Sequence, residues 1–377
     1  MKTIPVTILS GFVGAGKTAV LQHVLQNLQG LNVAVILNDS QGEDLLQEMT
    51  NLLGAGQFDY LLIESTGASE PMPLAESVSA MNEVWATSGD IARIDTMVTV
   101  VDAANFLNDF QSVEELRDRK IAVDDADNRD IARVLIEQIE FANVILLNKT
   151  DLVADKECGF LLALLRNLNP NARVLAIEHG QVPVEEVVNT ERYQQEWDAD
   201  ADAWQTILSG NAKSELAVNG VSSFAYRARR PFHPQRFWDF WMEGEHTPGI
   251  LRSKGYFWLA TRHAMSGFWS HVGQVLAAEP GGTWWAETPR AEWPTDDPEL
   301  VAELNTVWDE VWGDRRQELI LIGQDLDTAA VTDALNNCLL TDSEMQSGPS
   351  SWSRLEDPFG SWDAEHVCDG SHDHDHG

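Results

Sequence analysis

The sequence is poor in cysteine and in positive charge, and each shortage excludes a class of protein. Its three cysteines, Cys158, Cys338 and Cys368, are odd in number and widely spaced, which argues against a disulfide framework. Only 25 basic residues stand against 60 acidic ones, and the resulting net charge of −35 repels a phosphate backbone at long range. We therefore expect no nucleic-acid partner.

Long apolar runs are also missing from the sequence, so we expect no membrane partner. A membrane-spanning helix needs about 20 consecutive apolar residues, and no run approaches that length. The apolar stretch Ile4–Leu9 leads directly into a glycine-rich loop, which is typical of a first strand and not of a signal peptide. The 377 residues, 44% of them hydrophobic, predict a cytoplasmic protein with two domains.

The first half of the chain alternates short apolar runs with helical patterns. This alternation predicts right-handed βαβ units and hence an α/β domain with a mainly parallel sheet. Ligands of such sheets bind beyond the carboxyl ends of the strands. The predicted strands are Ile4–Leu9, Val33–Leu37, Tyr60–Ile63, Met97–Val101, Val144–Leu147 and Val174–Ile177, and the predicted helices are Thr18–Leu28, Ile131–Phe141 and Lys156–Leu168.

The second half differs in composition and contains most of the 14 tryptophans. We predict a first domain over residues 1–189, a linker helix over 190–219, a smaller α+β domain over 220–341 and a flexible acidic, histidine-containing tail over 342–377. The predicted strands of the smaller domain are Ser222–Arg227, Gly255–Thr261 and Leu319–Ile322, and its predicted helices are Pro234–Trp241, Pro298–Val311 and Thr328–Leu339.

Residues 11–18, GFVGAGKT, match the phosphate-loop pattern G-x-x-x-x-G-K-[ST]. The motif follows a predicted strand and opens a predicted helix, where backbone N–H groups and the helix N-terminus favour a polyphosphate. We assign Lys17 to the outer phosphates and Thr18 to Mg²⁺. The residues predicted to bind the nucleotide here are Gly11, Gly14, Ala15, Gly16, Lys17, Thr18 and Ala19.

A second motif, Asn148-Lys149-Thr150-Asp151, follows a later predicted strand. The carboxylate of Asp151 can accept two N–H bonds from the guanine edge, whereas adenine offers no such pair. The motif therefore predicts GTP as the nucleotide, with Asn148, Lys149 and Asp151 at the base and Lys149 packed over it. An ATP-dependent kinase would also use the phosphate loop, but it leaves this second motif unexplained.

The segment Glu64-Ser65-Thr66-Gly67 ends the third predicted strand. An acidic residue at this position can enter the Mg²⁺ shell or orient the attacking water, and a glycine can offer its N–H to the γ-phosphate. We therefore predict Lys17, Glu64 and Gly67 as catalytic residues, and Thr18 and Glu64 as the magnesium ligands.

Two further clusters of polar residues leave alternatives open. Arginines near residues 227–236 and 252–262 form a basic region that could receive an acidic partner, neutralise the first domain or pair within its own domain. In the C-terminal segment His366, Cys368, His372, His374 and His376 lie near Asp369, Asp373 and Asp375, and residues 372–376 alternate His-Asp-His-Asp-His. Imidazole and thiolate suit Zn²⁺, Ni²⁺ or Cu²⁺, and we expect weak zinc binding by His372, His374 and His376. A solvated polar tail is the alternative.

Taken together, these motifs resemble those of the CobW-type metallochaperone GTPases, in particular the YciC-like branch linked to zinc homeostasis. The resemblance implies a P-loop GTPase domain, a CobW C-terminal-type domain, and GTP-driven delivery of zinc or a similar metal to a client metalloprotein. It covers almost the whole chain, through GFVGAGKT, ESTGASEP (64–71), TMVTVVDAANF (96–106), NKTD, RRPFHPQRF (229–237), RSKGYFWLATR (252–262) and GDRRQELILIGQDLD (313–327).

The sequence departs from that family at one place. The family carries a Gly-Cys-x-Cys-Cys segment before the ESTG strand, and the resemblance implies that its thiolates bind the metal. Here Ser40–Asp59 contains no cysteine, and a helix over about Gly42–Leu53 fills the crossover. We therefore expect slow GTP hydrolysis and impaired metal transfer, with Asp39 or Glu43 as substitute metal contacts. The alternatives are a non-hydrolysing GTP-binding or scaffold protein, and metal storage through the histidine tail.

Overall fold

The computed structural model describes residues 2–28, 30–38, 52, 58–85, 90–122, 127–194, 219–294 and 297–362. Contacts separate two compact units, Met1–Ser223 with Val272–Val275 and Phe224–His271 with Leu276–Gly377. Almost all of the predicted crossover helix, with Asp39 and Glu43, and most of the predicted linker lie outside the described residues. Within the described residues, no helix is long and apolar enough to cross a membrane.

The first unit is built on a six-stranded parallel sheet. Its strands are β1 (Lys2–Ser10), β2 (Val33–Asn38), β3 (Tyr60–Ser65), β4 (Asp90–Asp102), β5 (Val144–Asn148) and β6 (Arg173–Ala176). Its helices are α1 (Lys17–Asn27), α2 (Pro71–Trp85), α3 (Phe106–Phe110), α4 (Ile131–Glu140) and α5 (Asp155–Leu168). The strand order is β2-β3-β1-β4-β5-β6, and all five neighbouring pairs are parallel. This confirms the α/β fold predicted from the alternating pattern.

Both faces of this sheet are covered by helices. Successive side chains of a strand point to opposite faces, so Leu61 and Ile63 enter one core while Tyr60 and Leu62 enter the other. The first core includes apolar residues of α2, and the second includes apolar residues of α1. Burial on both faces explains why the strands are continuous apolar runs.

A β-bulge in β4 gives this unit a buried carboxylate. Val6 of β1 pairs with Ile94 and Thr7 pairs with Thr96, so Asp95 has no partner on β1. The Asp95 side chain, 1% exposed, accepts hydrogen bonds from Tyr60 Oη (2.7 Å), Thr96 Oγ1 (2.7 Å) and the backbone N–H groups of Thr190 and Glu191 (3.0 Å each). These bonds hold residues 190 and 191, where a linker was predicted, against the first unit.

The second unit contains a five-stranded antiparallel sheet. Its elements are β7 (Val221–Ala228), α6 (Pro234–Glu243), β8 (Ile250–Phe257), β9 (Met265–Val272), β10 (Val275–Thr283), α7 (Pro298–Val307), β11 (Gln317–Gln324), α8 (Thr328–Cys338), α9 (Asp342–Ser347) and α10 (Pro349–Trp352). The strand order is β10-β9-β8-β11-β7, and β8 and β11 pair antiparallel. Aromatic residues of α6, among them Phe237 and Trp241, share a core with Leu335 of α8.

Several predicted boundaries in this unit differ from the structure. The strand predicted over Gly255–Thr261 is β8, which starts at Ile250 and ends at Phe257, and residues 260–262 form a 3-10 turn. The helix predicted over Pro298–Val311 ends at Val307. The sequence did not predict β9 or β10.

The predicted flexible tail was wrong for its first 21 residues. Residues 342–362 contain α9 and α10, and Trp352 and Phe359 are only 1% and 6% exposed. Arg262 fixes the segment through two bonds to the Asp357 carboxylate and one to the Phe359 carbonyl. The acidic, serine-rich composition predicted a flexible tail, but a few aromatic side chains in the segment are buried and supply the apolar contacts that stabilise it. The histidines of the segment lie beyond residue 362, outside the described residues.

The arginines of the basic region form ion pairs largely with carboxylates of the second unit. Pairing within their own domain was one of the three alternatives that the sequence left open. Glu318 accepts hydrogen bonds from Arg227 and Arg316. Arg236 binds Glu344, with Nη2–Oε2 at 2.8 Å. Arg230 binds Asp342. These internal carboxylates neutralise much of the charge that the sequence offered to a partner.

Candidate functional site

The loop between β1 and α1 is built so closely that side chains are excluded from two of its glycines. Gly11 has φ +134°, and a Cβ atom there would lie 2.3 Å from the Val100 carbonyl oxygen. Gly16 has φ +103°, and its Cβ would lie 2.4 Å from Asn148 Nδ2. Gly16, the residue before α1, makes no side-chain cap bond, so it does not itself occupy the N–H groups of the first turn. Free N–H groups at a helix start bind anions.

Lys17 is buried in this loop, and among the described residues its ammonium group bonds only to backbone carbonyls. Its Nζ donates to the Gly11 oxygen at 2.7 Å and to the Phe12 oxygen at 3.3 Å. Burial lowers the pKa of Lys17, and the negative charge of Glu64 partly opposes this. A phosphate in the loop would add negative charge beside the ammonium group and favour its charged form.

Thr18 and Glu64 meet beside the loop, although 46 residues separate them in sequence. Thr18 Oγ1 donates to Glu64 Oε1 at 2.7 Å. The second carboxylate oxygen, Oε2, is buried and has no hydrogen-bond partner among the described residues. A hydroxyl and a carboxylate with an unmet oxygen fit Mg²⁺, which prefers oxygen ligands. The two residues predicted as magnesium ligands are therefore close enough to share one ion.

The loop that follows β3 is in close contact with the phosphate loop. A Cβ atom on Gly67 would lie 2.4 Å from Val13 Cγ2 and 2.5 Å from the Val13 backbone nitrogen. The glycine is therefore needed for the close approach of the two loops. This places the predicted γ-phosphate contact, Gly67, next to the predicted phosphate-binding residues.

Asn148 clamps two loops together, a role that the sequence did not predict. Its side chain is 2% exposed. Nδ2 donates to the Ala15 carbonyl at 3.0 Å, and Oδ1 accepts from the Gly180 N–H at 3.0 Å. Asn148 thus joins the phosphate loop to the turn after β6, and it positions the site whether or not it also touches the base.

Lys149 and Asp151 lie beside residues that the sequence analysis missed. Lys149 adopts a left-handed conformation with φ +62°, and its Nζ lies 2.7 Å from Asp102 Oδ2 at the end of β4. Asp151 lies in a 3-10 turn, with its Oδ2 3.9 Å from His179 Nε2. Both new residues follow the rule that ligands bind at the carboxyl edge of the sheet, since Asp102 ends β4 and His179 follows β6.

Comparison with known proteins identifies the group to which this molecule belongs. The nucleotide-binding domain model of CobW, HypB and UreG matches residues 5–43 and 40–176, and the cobalamin synthesis protein cobW C-terminal domain matches residues 221–339. A zinc-regulated GTPase metalloprotein activator of Dictyostelium discoideum is 36% identical over 400 aligned positions, which cover 94% of this chain and 84% of the relative. The chain belongs to the CobW/HypB/UreG family.

This CobW/HypB/UreG-family chain is also similar to a zinc chaperone of Mycobacterium tuberculosis. It is 29% identical over 274 residues, which cover 72% of this chain and 62% of the relative. The structural alignment with the zinc-bound YjiA GTPase of E. coli covers 90% of this chain and 100% of the YjiA chain, with 22% identity and a TM-score of 0.39.

The cysteines that this CobW-family chain retains within the described residues do not form a metal site. Cys338 is buried, its thiol donates to the carbonyls of Arg236 and Ala334, and burial raises its pKa to about 12. Cys158 lies on α5, and burial raises its pKa as well. Among the described residues, no group of three or more His, Cys, Asp or Glu side chains could hold a metal ion. The predicted zinc ligands His372, His374 and His376 lie outside them.

Proposed function

We propose that this protein is a cytoplasmic GTPase that binds GTP with Mg²⁺, hydrolyses it slowly and belongs functionally to the zinc metallochaperones. The observation that carries the proposal is the Thr18–Glu64 pair beside the phosphate loop, in which one buried Glu64 oxygen has no hydrogen-bond partner within the described part of the chain. An ATPase or kinase would share this pair but would not need Asp151 at the end of the base-binding motif.

The chain's own residues divide the chemical work. The N–H groups of the phosphate loop and Lys17 hold the β- and γ-phosphates, and Thr18 and Glu64 hold Mg²⁺, which neutralises charge on the phosphate oxygens when bound. Gly67 offers its N–H to the γ-phosphate. Hydrolysis then depends on positioning and electrostatic stabilisation more than on covalent chemistry by the protein.

Guanine recognition rests on Asp151, whose carboxylate can accept both N–H bonds of the guanine edge. Lys149 packs over the base and is held there by Asp102. The neighbouring His179 lies close enough to interact with the Asp151 carboxylate when no base is bound, because His179 Nε2 and Asp151 Oδ2 are 3.9 Å apart.

Metal delivery to a client metalloprotein is proposed from the relatives, together with a deficit in transfer. The Dictyostelium relative is named a zinc-regulated metalloprotein activator, and the mycobacterial relative a zinc chaperone. The family model matches this chain in two pieces that meet at residues 40–43, beside the cysteine-free segment Ser40–Asp59. The 400 aligned positions also exceed the 377 residues of the chain, so the relative has residues that this chain lacks. Both observations support impaired transfer.

A second candidate function, a GTP-binding or scaffold protein without hydrolysis, is favoured by the same cysteine-free segment. A switch segment normally closes over the γ-phosphate and excludes water, and little chain remains here to do so. The two functions differ in a single measurement, which is the cleavage of bound GTP.

Single-turnover GTP hydrolysis with Mg²⁺ tests the proposal. We expect slow cleavage by the unmutated chain, and loss of nucleotide binding or cleavage in Lys17→Ala with the fold retained in circular dichroism. Arg166→Ala is a charge-matched control, because Arg166 is exposed in the last turn of α5. Binding without cleavage would favour the scaffold function, and cleavage by Lys17→Ala at the unmutated rate would refute the assigned site.

A further inference from the structure

A buried glutamine on α4 holds the loop that carries Gly67. Gln138 is 1% exposed, and its Nε2 donates to the Gly67 carbonyl at 3.2 Å and to the Ser69 carbonyl at 3.1 Å. One amide group therefore fixes two carbonyls on either side of Ala68. No part of the sequence motifs indicates this contact, because Gln138 lies 71 residues from Gly67.

The same glutamine is connected to the start of the phosphate loop through side chains inside the sheet. Thr99 Oγ1 donates to the Gln138 backbone carbonyl at 2.7 Å, and Ser10 Oγ lies 2.8 Å from Thr99 Oγ1. Ser10 is the last residue of β1 and directly precedes Gly11. Ser10 and Thr99 are each 2% exposed, so bulk water does not compete for these hydrogen bonds.

The amides of Gln138 and Asn169 differ in the hydrogen bonding of their oxygen atoms. The amide of Asn169, 0% exposed, donates to three carbonyls and accepts from two backbone N–H groups. Gln138 Oε1, by contrast, is buried and has no hydrogen-bond partner in the part of the chain that the structure describes. A buried oxygen left unpaired costs free energy and needs an explanation, of which a functional role is one.

We infer that Gln138 is a positioning residue that couples the phosphate loop to the Gly67 loop and sets the place of Gly67 for the γ-phosphate. The inference rests on the proposed GTPase function. Since Gly67 already lies within van der Waals distance of Val13, a small displacement of its loop changes the contact with the phosphate loop. The γ-phosphate, present in GTP and absent from GDP, is the group whose binding should depend on Gln138.

The test replaces Gln138 with methionine, which has nearly the same volume but cannot donate a hydrogen bond. We expect kcat and the affinity for a non-hydrolysable GTP analogue to fall about tenfold, the order expected when ordinary hydrogen bonds no longer hold a reactive loop in place. The affinity for GDP should stay within about twofold, because GDP lacks the γ-phosphate that Gly67 is proposed to contact.

Asn169→Ala is the matched control, since it removes a buried amide that bonds to the C-terminal end of α4 without touching either loop. It should lower the melting temperature and leave the ratio of GTP-analogue to GDP affinity unchanged. If Gln138→Met does not fold, Thr99→Val carries the test, with a smaller loss in the same direction because it breaks the connection one step away.

Each outcome has a defined meaning. A Gln138→Met chain that is folded, with unchanged kcat and an unchanged affinity ratio, would overturn the inference while leaving the GTPase function intact. Equal loss of GTP-analogue and GDP binding would also overturn it, because it would indicate a general structural role. Failure of the unmutated chain to bind or cleave GTP would refute the proposed function itself, and the inference with it.

Discussion

Asn148→Ala separates two roles for the asparagine of the base-binding motif. The motif predicts a residue at the base, whereas the structure shows a buried amide that joins Ala15 to Gly180. If the clamp is its main task, the substitution should damage the site for every nucleotide. If base recognition is its main task, only the preference for guanine should change.

The magnitude follows from the two hydrogen bonds. Alanine at position 148 leaves the Ala15 carbonyl and the Gly180 N–H without the partner that Asn148 provides, and an unmet buried polar group costs about 1–3 kcal/mol. With two such groups, we therefore expect the free energy of unfolding to fall by about 2–6 kcal/mol. For a unit of this size, that corresponds to a melting temperature lower by roughly 4–24 °C.

The assay combines thermal unfolding with competitive binding of GTP, GDP and ATP. We expect Asn148→Ala to weaken binding of all three by a similar factor, because the phosphate loop loses its support. Asp151→Asn is the control that alters the base contact alone, since the only polar contact of its carboxylate among the described residues is the 3.9 Å approach of His179. An Asn148→Ala chain with unchanged stability and a selective loss of guanine preference would refute the reasoning.

Four further predictions concern the base, the catalytic loop, acid stability and zinc. Asp151→Asn should weaken GTP binding by about 1.5–3 kcal/mol, the order of a lost charge-assisted hydrogen bond. Competitive binding of GTP and ATP measures this loss. Equal affinity of the unmutated chain for both nucleotides would contradict the guanine assignment. Gly67→Ala places a methyl group 2.4 Å from a phosphate-loop side chain, so GTP cleavage should fall while the chain stays folded, and an unchanged rate would show that the loops need not touch. The hydrogen bond from Arg236 lowers the pKa of Glu344 to about 2, so this pair stabilises the fold fully above pH 4.5 and less as the pH falls from 4.5 towards 2. Glu344→Gln should remove that part of the loss of stability in acid. Identical melting curves of both chains across this pH range would contradict the prediction. In a chelator-competition titration, zinc affinity should be present in the full chain, absent from a chain ending at Asp363 and unaffected by GTP; tight zinc in the shortened chain would reveal an unassigned site.

The contiguous motifs were predictable from sequence because each is complete within a few neighbouring residues. The pattern Gly11–Thr18 contains its own glycines, lysine and hydroxyl, and its place between a strand and a helix is a local property. The apolar runs that became the six parallel strands are also local, since a strand buried on both faces must be apolar throughout. The fold class of the first unit followed from these runs and their alternation with helices.

The second unit was harder to predict because its elements lack such local signals. The strand β10 contains Pro280, Gly281 and Gly282, which read as a loop in the sequence. It lies at the edge of the sheet, where a missing N–H and weak side-chain packing are tolerated. The segment after residue 341 likewise has the composition of a tail, and only the pocket that receives Trp352 makes it part of the fold.

The sequence by itself determined which chemical groups this protein brings to a nucleotide and the order of the elements that carry them. Only the tertiary structure decided how those groups are held, as in the pairing of Thr18 with Glu64, the clamp formed by Asn148 and the hold of Gln138 on the Gly67 loop. The partners in these contacts lie 46, 133 and 71 residues apart. The physical reason is that a hydrogen bond depends on distance and direction in space, and packing of the sheet and helices sets both after the local pattern has chosen the elements.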